Sequence, residues 1–401
     1  MSILPPLRTL LQRLIAEPSV SSVDPEWDQS NVRVVDLLEG WLADLGFRTE
    51  KLAVPGCPGK FNLVAVLGSG PGGLVLSGHT DTVPFDASRW HSDPFVLTER
   101  DDRLYGLGTC DMKSFFALVL EAVRDLDARK LKRPLVVLAT ADEESTMCGA
   151  RSLAAIGRRL GRHAVIGEPT GLKPVRKHKG IAMIAIRVVG RSGHSSDPAL
   201  GNNALEGMHR VMAALLEWRE TLQRRHRDPA FSVPVPTLNL GHIHGGDNPN
   251  RICGECELHI DLRPLPGMDL AALQAEMAQH LDAALAGTSL TLETRALFEG
   301  IPALETPASA AIVRAAETLT GHPARAAAYA TEGPLLDAMG LETVILGPGS
   351  IQQAHQPDEY LALDQIEPGI RILRGLIQRF CMARSEDDAT SKPASSDLPS
   401  K

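Results

Sequence analysis

Leu135 to Ala150 read LVVLATADEESTMCGA, an apolar run broken only by Thr140 that ends on Asp142, Glu143 and Glu144. Carboxylates this close repel, and each ionised one needs water, a cation or a proton. Either this tip is solvated or something positive sits beside it. Four other loops carry residues of the same chemical kind. SGHTDTVP places His79 and Asp81 two apart after an apolar run, and GLGTCDMKS sets Asp111 at the entrance to a helical segment. IGEPTG sets Glu168 after HAVIG, and SIQQAHQPDEY sets His355 after VILGPGS. Imidazole nitrogen with carboxylate oxygen suits Zn²⁺, Co²⁺ or Mn²⁺. Each residue also has a plainer use: Asp111 as a helix N-cap, either histidine as a hydrogen-bonded core side chain, Glu168 as loop chemistry, and the acidic triplet as a wet strand end.

The elements that must position these residues are visible as periodicity. From Asn62 to Gly167 the apolar runs NLVAVL, GLVLSGHTD, LVVLATADE and HAVIGE alternate with helical segments. The segment DMKSFFALVLEAVRDLDARK keeps a helical period through Phe115, Leu118, Val119, Ala122, Val123 and Leu126. Such alternation predicts an α/β domain with a largely parallel sheet, whose strand ends collect ligands. After Gly180 the pattern becomes strand (IAMIAIRVVG), long helix (ALEGMHRVMAALLEWRETLQRR), strand (CELHIDLRPL), helix (AALQAEMAQHLDAAL) and strand (LTLETR). This predicts a smaller inserted α+β domain over 180–295. Residues 1–179 and 296–384 then form the larger domain, and the polar tail 385–401 is expected to be disordered.

Composition narrows the function. A net charge of -8 argues against nucleic acid or an acidic membrane surface as partner, and no apolar run reaches the length of a membrane span. MSILPPLRTLLQRLIAEPS reads as an amphipathic first helix rather than a signal peptide. Six cysteines in 401 residues do not make a disulfide scaffold, which points to a reducing cytoplasm. GSGPGG, Gly68 to Gly73, satisfies the dinucleotide fingerprint, but a strand rather than a helix follows it, so a turn is expected and a nucleotide-cofactor oxidoreductase is not. Cys253 and Cys256 lack a second pair for structural zinc and run into a strand, so they read as packing residues.

The strings SGHTDTVP, GLGTCDMK, ADEES, GEPT, GRSGHSS and AHQPDEY, in this order, resemble the M20 metallopeptidase and deacylase family over essentially the whole chain up to the tail. That resemblance implies a zinc-peptidase-like catalytic domain with an inserted dimerisation domain, and a homodimer. It implies two Zn²⁺ per subunit, with Co²⁺ as a substitute: His79 and Glu168 on one ion, Glu144 and His355 on the other, and Asp111 bridging. Asp81 would accept a proton from the His79 ring and fix its tautomer. Glu143 would be the general acid and base for a metal-activated water. His194, in GRSGHSSDP, would stabilise the oxyanion, often in the partner subunit's site.

The strings TLNLGHIHGGDNPNRIC, LRPLPGM and GPGSIQQAHQPDEY extend the resemblance to family members that act on a small N-acyl amino acid, which implies N2-acetyl-L-ornithine as substrate, cleaved to L-ornithine and acetate in arginine biosynthesis. Acetylcitrulline, succinyl-diaminopimelate and dipeptides are the alternatives within the same chemistry. Arg263, in DLRPLP, is either the partner of the substrate carboxylate or a strand-end surface charge. Asn250 matches a family residue near the substrate. Glu332, in YATEGP, either meets the ammonium of an ornithine-like substrate or serves the structure. A non-catalytic binding protein would be expected to lack Glu143 or some of the ligands.

Overall fold

The computed structural model describes residues 4–382, so the tail expected to be disordered lies outside the described residues. The larger sheet runs in the order Arg48–Ala53, Phe61–Leu67, Leu135–Thr140, Leu74–His79, His163–Pro169, Glu342–Gly347, Val175–His178, Leu304–Glu305, with Arg325–Ala327 also paired to Val175–His178. Only its centre is continuously parallel: Leu135–Thr140, Leu74–His79, His163–Pro169 and Glu342–Gly347. Antiparallel pairs flank them, so the sheet is mixed rather than largely parallel.

The first three of these central strands are buried along their whole length, as unbroken apolar runs demand of strands covered on both faces. Leu74, Leu76, Leu135 and Val137 pack with the helices Leu7–Ile15, Val32–Asp44, Lys113–Val123, Ala311–Thr320 and Ile366–Ile377. Their neighbours Val75, Val136 and Leu138 point the other way, onto Leu153 and Leu336 from the helices Cys148–Ile156 and Gly333–Ala338. The helical signal from Asp111 to Lys130 resolves into Lys113–Val123 and a separate 3-10 turn, Ala128–Lys130. Within Lys113–Val123 every residue but Glu121 is buried, consistent with a segment apolar on all sides.

The inserted unit is a four-stranded antiparallel sheet, ordered Thr237–Gly245, Glu255–Arg263, Ile181–Val189, Thr291–Ile301, with its own core. Cys256, Leu258, Ile260 and Leu262 face that core while the odd-numbered residues between them stay partly or fully exposed. The helix Ala204–Arg225 closes it with Ala204, Met208, Val211, Leu215, Trp218 and Leu222, all buried at helical spacing. Each such side chain contributes roughly 1.5–3 kcal/mol if large and apolar. Two features depart from the sequence reading. Thr237–Gly245 is an additional strand, whose edge position leaves most of it exposed and removes the apolar signal. The last strand does not stop at Arg295 but continues through two register shifts to Ile301, opposite Ile181.

A small third sheet, Thr98–Arg100, Arg103–Tyr105 and Tyr360–Ala362, lies outside both units' main sheets. Its three-residue strands are too short to show periodicity. It pairs Tyr360 with Tyr105 and so brings the loop before Tyr360 against the loop after Tyr105. No helix among the described residues is long and apolar enough to cross a membrane.

Candidate metal centre

The carboxyl ends of the four parallel strands deliver most of the polar residues to one place. His79 ends one strand, Glu168 lies at the end of a second, Glu143 and Glu144 follow a third, and His355 lies in the loop after the fourth. Gly167 lets the Glu168 strand approach the central helix, since a Cβ there would sit 2.2 Å from the Phe115 ring. Asp111 enters from the turn before that helix. It is not the N-cap: Met112 holds that position, without a side-chain capping bond.

Asp111 instead lies between the two histidines. Its Oδ1 is 3.0 Å from His79 Nε2 and its Oδ2 is 3.5 Å from His355 Nε2. His355 Nε2 is also 3.0 Å from Glu144 Oε2, and His79 Nε2 is 3.8 Å from Glu168 Oε1. The candidate ligand atoms of His79, Glu143 and Glu168 all fall within 4.8 Å of one another, as do those of His79, Asp111 and Glu144. The His79 side chain is 1% exposed and that of His355 52%, so the cluster opens to solvent on the His355 side.

The donor set fits a pair of divalent cations. Four carboxylates meet two imidazoles, and Glu168 Oε1 is buried without a hydrogen-bond partner. Burial, and then the charge of Glu168, hold Glu143 well above the usual carboxylate range; burial and Asp111 do the same to Glu168. Burial opposes ionisation of Asp111, but hydrogen bonds from His355 and His79 more than offset it and keep that carboxyl low. Hydrogen bonds to Asp111 and Glu144 push His355 up to about 11. Burial alone would lower His79, yet the surrounding carboxylates raise it well above 6.5.

The raised groups, His79, Glu143, Glu168 and His355, are ones that favour a proton when no cation is bound. Ligation needs neutral imidazole and ionised carboxylate, so metal uptake near pH 7 is expected to release protons, and affinity is expected to rise with pH. Calorimetric titrations in buffers of different ionisation enthalpy measure this directly. Buffer-independent heats would contradict it.

Several residues differ from their expected roles. The His79 Nδ1 bond goes to the backbone carbonyl of Asp81 at 3.0 Å, whereas the Asp81 carboxylate lies 3.7 Å away. Asp81 thus orients His79 through its main chain, and its Oδ2 accepts the Glu144 amide at 3.0 Å. Asp142 is neither solvated nor a member of the cluster: Lys60 Nζ lies 2.6 Å from its Oδ1, and both side chains are buried. Glu332 is 1% exposed and accepts from the Thr140 hydroxyl at 2.9 Å. Its charge bears on Glu143 and Glu168, so it belongs to the buried surroundings of the cluster.

Arg263 forms a two-pronged pair with Asp261, at 2.7 and 2.9 Å, on the inserted sheet. His194 is exposed, its ring bonded to the Ser196 hydroxyl at 2.7 Å, and the neighbouring Ser195 amide donates to the Asn250 carbonyl. His194 is not among the grouped candidate ligands of the described residues.

Sequence reasoning missed Glu359. Its buried carboxylate accepts the amides of Gly108 (3.1 Å), Cys110 (2.7 Å) and Asp111 (2.9 Å), so it holds the turn that presents Asp111. The only signal was an acidic residue in AHQPDEY, four after His355. Glu359→Gln would set an NH₂ against backbone donors, and is expected to weaken metal binding by about 10–100-fold, the usual cost of losing an outer partner of a ligand. Competition against a chelator of known affinity measures this; unchanged affinity would remove Glu359 from that role.

Comparison with known proteins agrees with the geometry. The model for peptidase family M20/M25/M40 matches residues 75–379. An acetylornithine deacetylase of Edwardsiella ictaluri is 53% identical over 378 residues, covering 94% of this chain and 98% of the relative. Among solved structures, an M20 family metallo-carboxypeptidase from Sulfolobus solfataricus superposes with a TM-score of 0.74 at 17% identity, covering 94% of this chain and 99% of that one. A dinuclear metal binding M20 peptidase of Bacillus subtilis gives 0.66 at 15%, covering 92% and 96%. With matching strings and fold over nearly its whole length, and clustered candidate ligands, the chain belongs to peptidase family M20/M25/M40.

Proposed function

We propose that this amide hydrolase cleaves N2-acetyl-L-ornithine to L-ornithine and acetate, as a cytoplasmic homodimer with two Zn²⁺ per subunit that Co²⁺ can replace. One observation carries the chemistry: the Asp111 carboxylate offers one oxygen to each histidine, with further carboxylates on both sides. The substrate follows from the 53% identity to an acetylornithine deacetylase.

His79 and Glu168 would hold one ion, Glu144 and His355 the other, and Asp111 both. When bound, such ions lower the pKa of water and polarise an amide carbonyl. Glu143 takes the proton of the attacking water and passes it to the departing nitrogen. The Asp81 carbonyl keeps the His79 Nε2 turned into the site. His194 and Asn250 complete the site from the inserted unit, His194 from that of the partner subunit, which makes the dimer part of the catalytic design. Arg263 exchanges its Asp261 partner for the substrate carboxylate.

The test is an assay of acetylornithine against acetylcitrulline, which replaces the distal ammonium with a neutral urea. The wild type is expected to prefer acetylornithine, and a preference for acetylcitrulline would overturn the substrate. Arg263→Lys should raise KM for both, since lysine keeps the charge but loses the planar fork. Glu332→Gln is expected to lower kcat/KM equally on both. A direct ammonium pair would show instead as a loss about ten- to a hundredfold larger on acetylornithine.

A further inference from the structure

A second group of ligand atoms lies next to the catalytic cluster and takes no part in the reaction above. The sulfurs of Cys57 and Cys148 and a carboxylate oxygen of Asp142 all fall within 4.8 Å of one another. They come from distant parts of the chain. Cys57 sits in the turn between the strands Arg48–Ala53 and Phe61–Leu67, closed by bonds from the Val54 amide to the Lys60 carbonyl and from the Lys60 amide to the Cys57 carbonyl. Cys148 is the first residue of the helix Cys148–Ile156, and Asp142 follows the strand Leu135–Thr140.

The carboxylate is held ready. Lys60 Nζ is anchored 2.6 Å from Asp28 Oδ1 and 2.7 Å from the Gln29 carbonyl, and it takes Asp142 Oδ1 at 2.6 Å. That leaves Asp142 Oδ2 toward the sulfurs, with Cys148 Sγ donating to it at 3.6 Å. The Asp142 carbonyl accepts the amides of Thr146 and Met147, which fixes the turn leading to Cys148. Both cysteines are only partly buried, so a cation has access from solvent.

We propose that Cys57, Cys148 and Asp142 form a third cation site, separate from the catalytic pair, that takes a thiophilic divalent ion of the Zn²⁺ or Cd²⁺ class. Two thiolates and one carboxylate supply three of the four positions of a tetrahedral ion and leave the fourth to water. The balance is simple: the ion forms two metal–sulfur bonds and one metal–oxygen bond, the two thiol protons go to solvent, and no oxidant is consumed. Burial and the neighbouring Cys57 raise the Cys148 thiol, so occupancy is expected to strengthen as pH rises. An ion here ties the Cys57 turn to the segment between Asp142 and Cys148, which carries Glu143 and Glu144. The site does not depend on which amide the enzyme hydrolyses.

The test uses the full chain loaded with zinc, its thiols reduced with a phosphine and counted. Cd²⁺ is titrated while the ultraviolet thiolate-to-cadmium charge-transfer band and the thermal midpoint are followed. Cadmium entering the catalytic pair produces no such band, because the residues assigned to it carry no sulfur. The wild type is expected to develop the band with one saturating site and a raised midpoint. Cys57→Ser and Cys148→Ser should each lose both signals with hydrolysis unchanged, while the Cys253→Ser, Cys256→Ser double variant keeps them. Should Cys148→Ser fold poorly, Cys57→Ser, in a surface turn, decides alone. Absence of the band in reduced wild type, or its persistence in Cys57→Ser, overturns the proposal.

Discussion

Glu143→Gln is expected to keep both metal ions and lower kcat by about a hundredfold or more, the usual scale for a lost general base. The neighbouring Glu144→Gln should behave differently, losing metal occupancy first and activity as a consequence. The contrast rests on placement. Glu144 lies against His355, with its amide tied to Asp81, and groups with His79 and Asp111, whereas Glu143 groups with His79 and Glu168. Dialysis against a chelator supplies the reference point: activity should vanish in metal-free wild type and return with Zn²⁺ or Co²⁺. Metal analysis alongside kcat separates the cases. A Glu143→Gln enzyme that turns over normally would make this carboxylate a bystander, and full activity in verified metal-free protein would remove the metal mechanism altogether.

A comparable loss, about a hundred- to a thousandfold in kcat with metal still bound, is expected for His194→Ala, as for other lost oxyanion donors. His194 is exposed on the inserted unit and hydrogen-bonded to Ser196. Acting on an oxyanion, as proposed, therefore calls for a site brought to it, which the second subunit of the proposed homodimer would supply. Mixing inactive His194→Ala with inactive Glu143→Gln should regenerate activity, since a mixed dimer contains one site with both native residues. Subunit exchange is verified independently with labelled protein. Proven exchange without recovery would put His194 in its own subunit's site or outside catalysis.

Much of the centre was legible because its residues are tied to local signals. His79, Asp81, Glu143 and Glu144 directly follow or end buried apolar strands, and Asp111 precedes an equally clear helix. Parallel central strands put such ends on one side of a sheet, so residue type and position along the chain sufficed to gather them. The inserted unit was legible for the same reason, apart from the edge strand Thr237–Gly245. An edge strand buries too little to need an apolar alternation.

What escaped depends on which atom faces which neighbour across the fold. Glu359 reaches the Asp111 turn through three-residue strands that carry no period. Asp81 was named for its carboxylate, but a backbone carbonyl makes the bond to His79. Asp142 read as structural or solvated, and only the fold sets Lys60, far away in sequence, against it. Glu332 and Arg263 each had a substrate reading and a structural one, and their neighbours, Thr140 beside the buried Glu332 and Asp261 paired with Arg263, appear only in the folded chain. The amino-acid sequence alone was enough to specify the α/β architecture, the inserted unit and the types of the clustered candidate ligands, because burial patterns and loop chemistry are short-range properties. Tertiary structure alone decided the partner of each carboxylate, and the meeting of Cys57 with Cys148, because hydrogen bonds and ion pairs form over a few ångströms between segments whose separation along the chain carries no record of the contact.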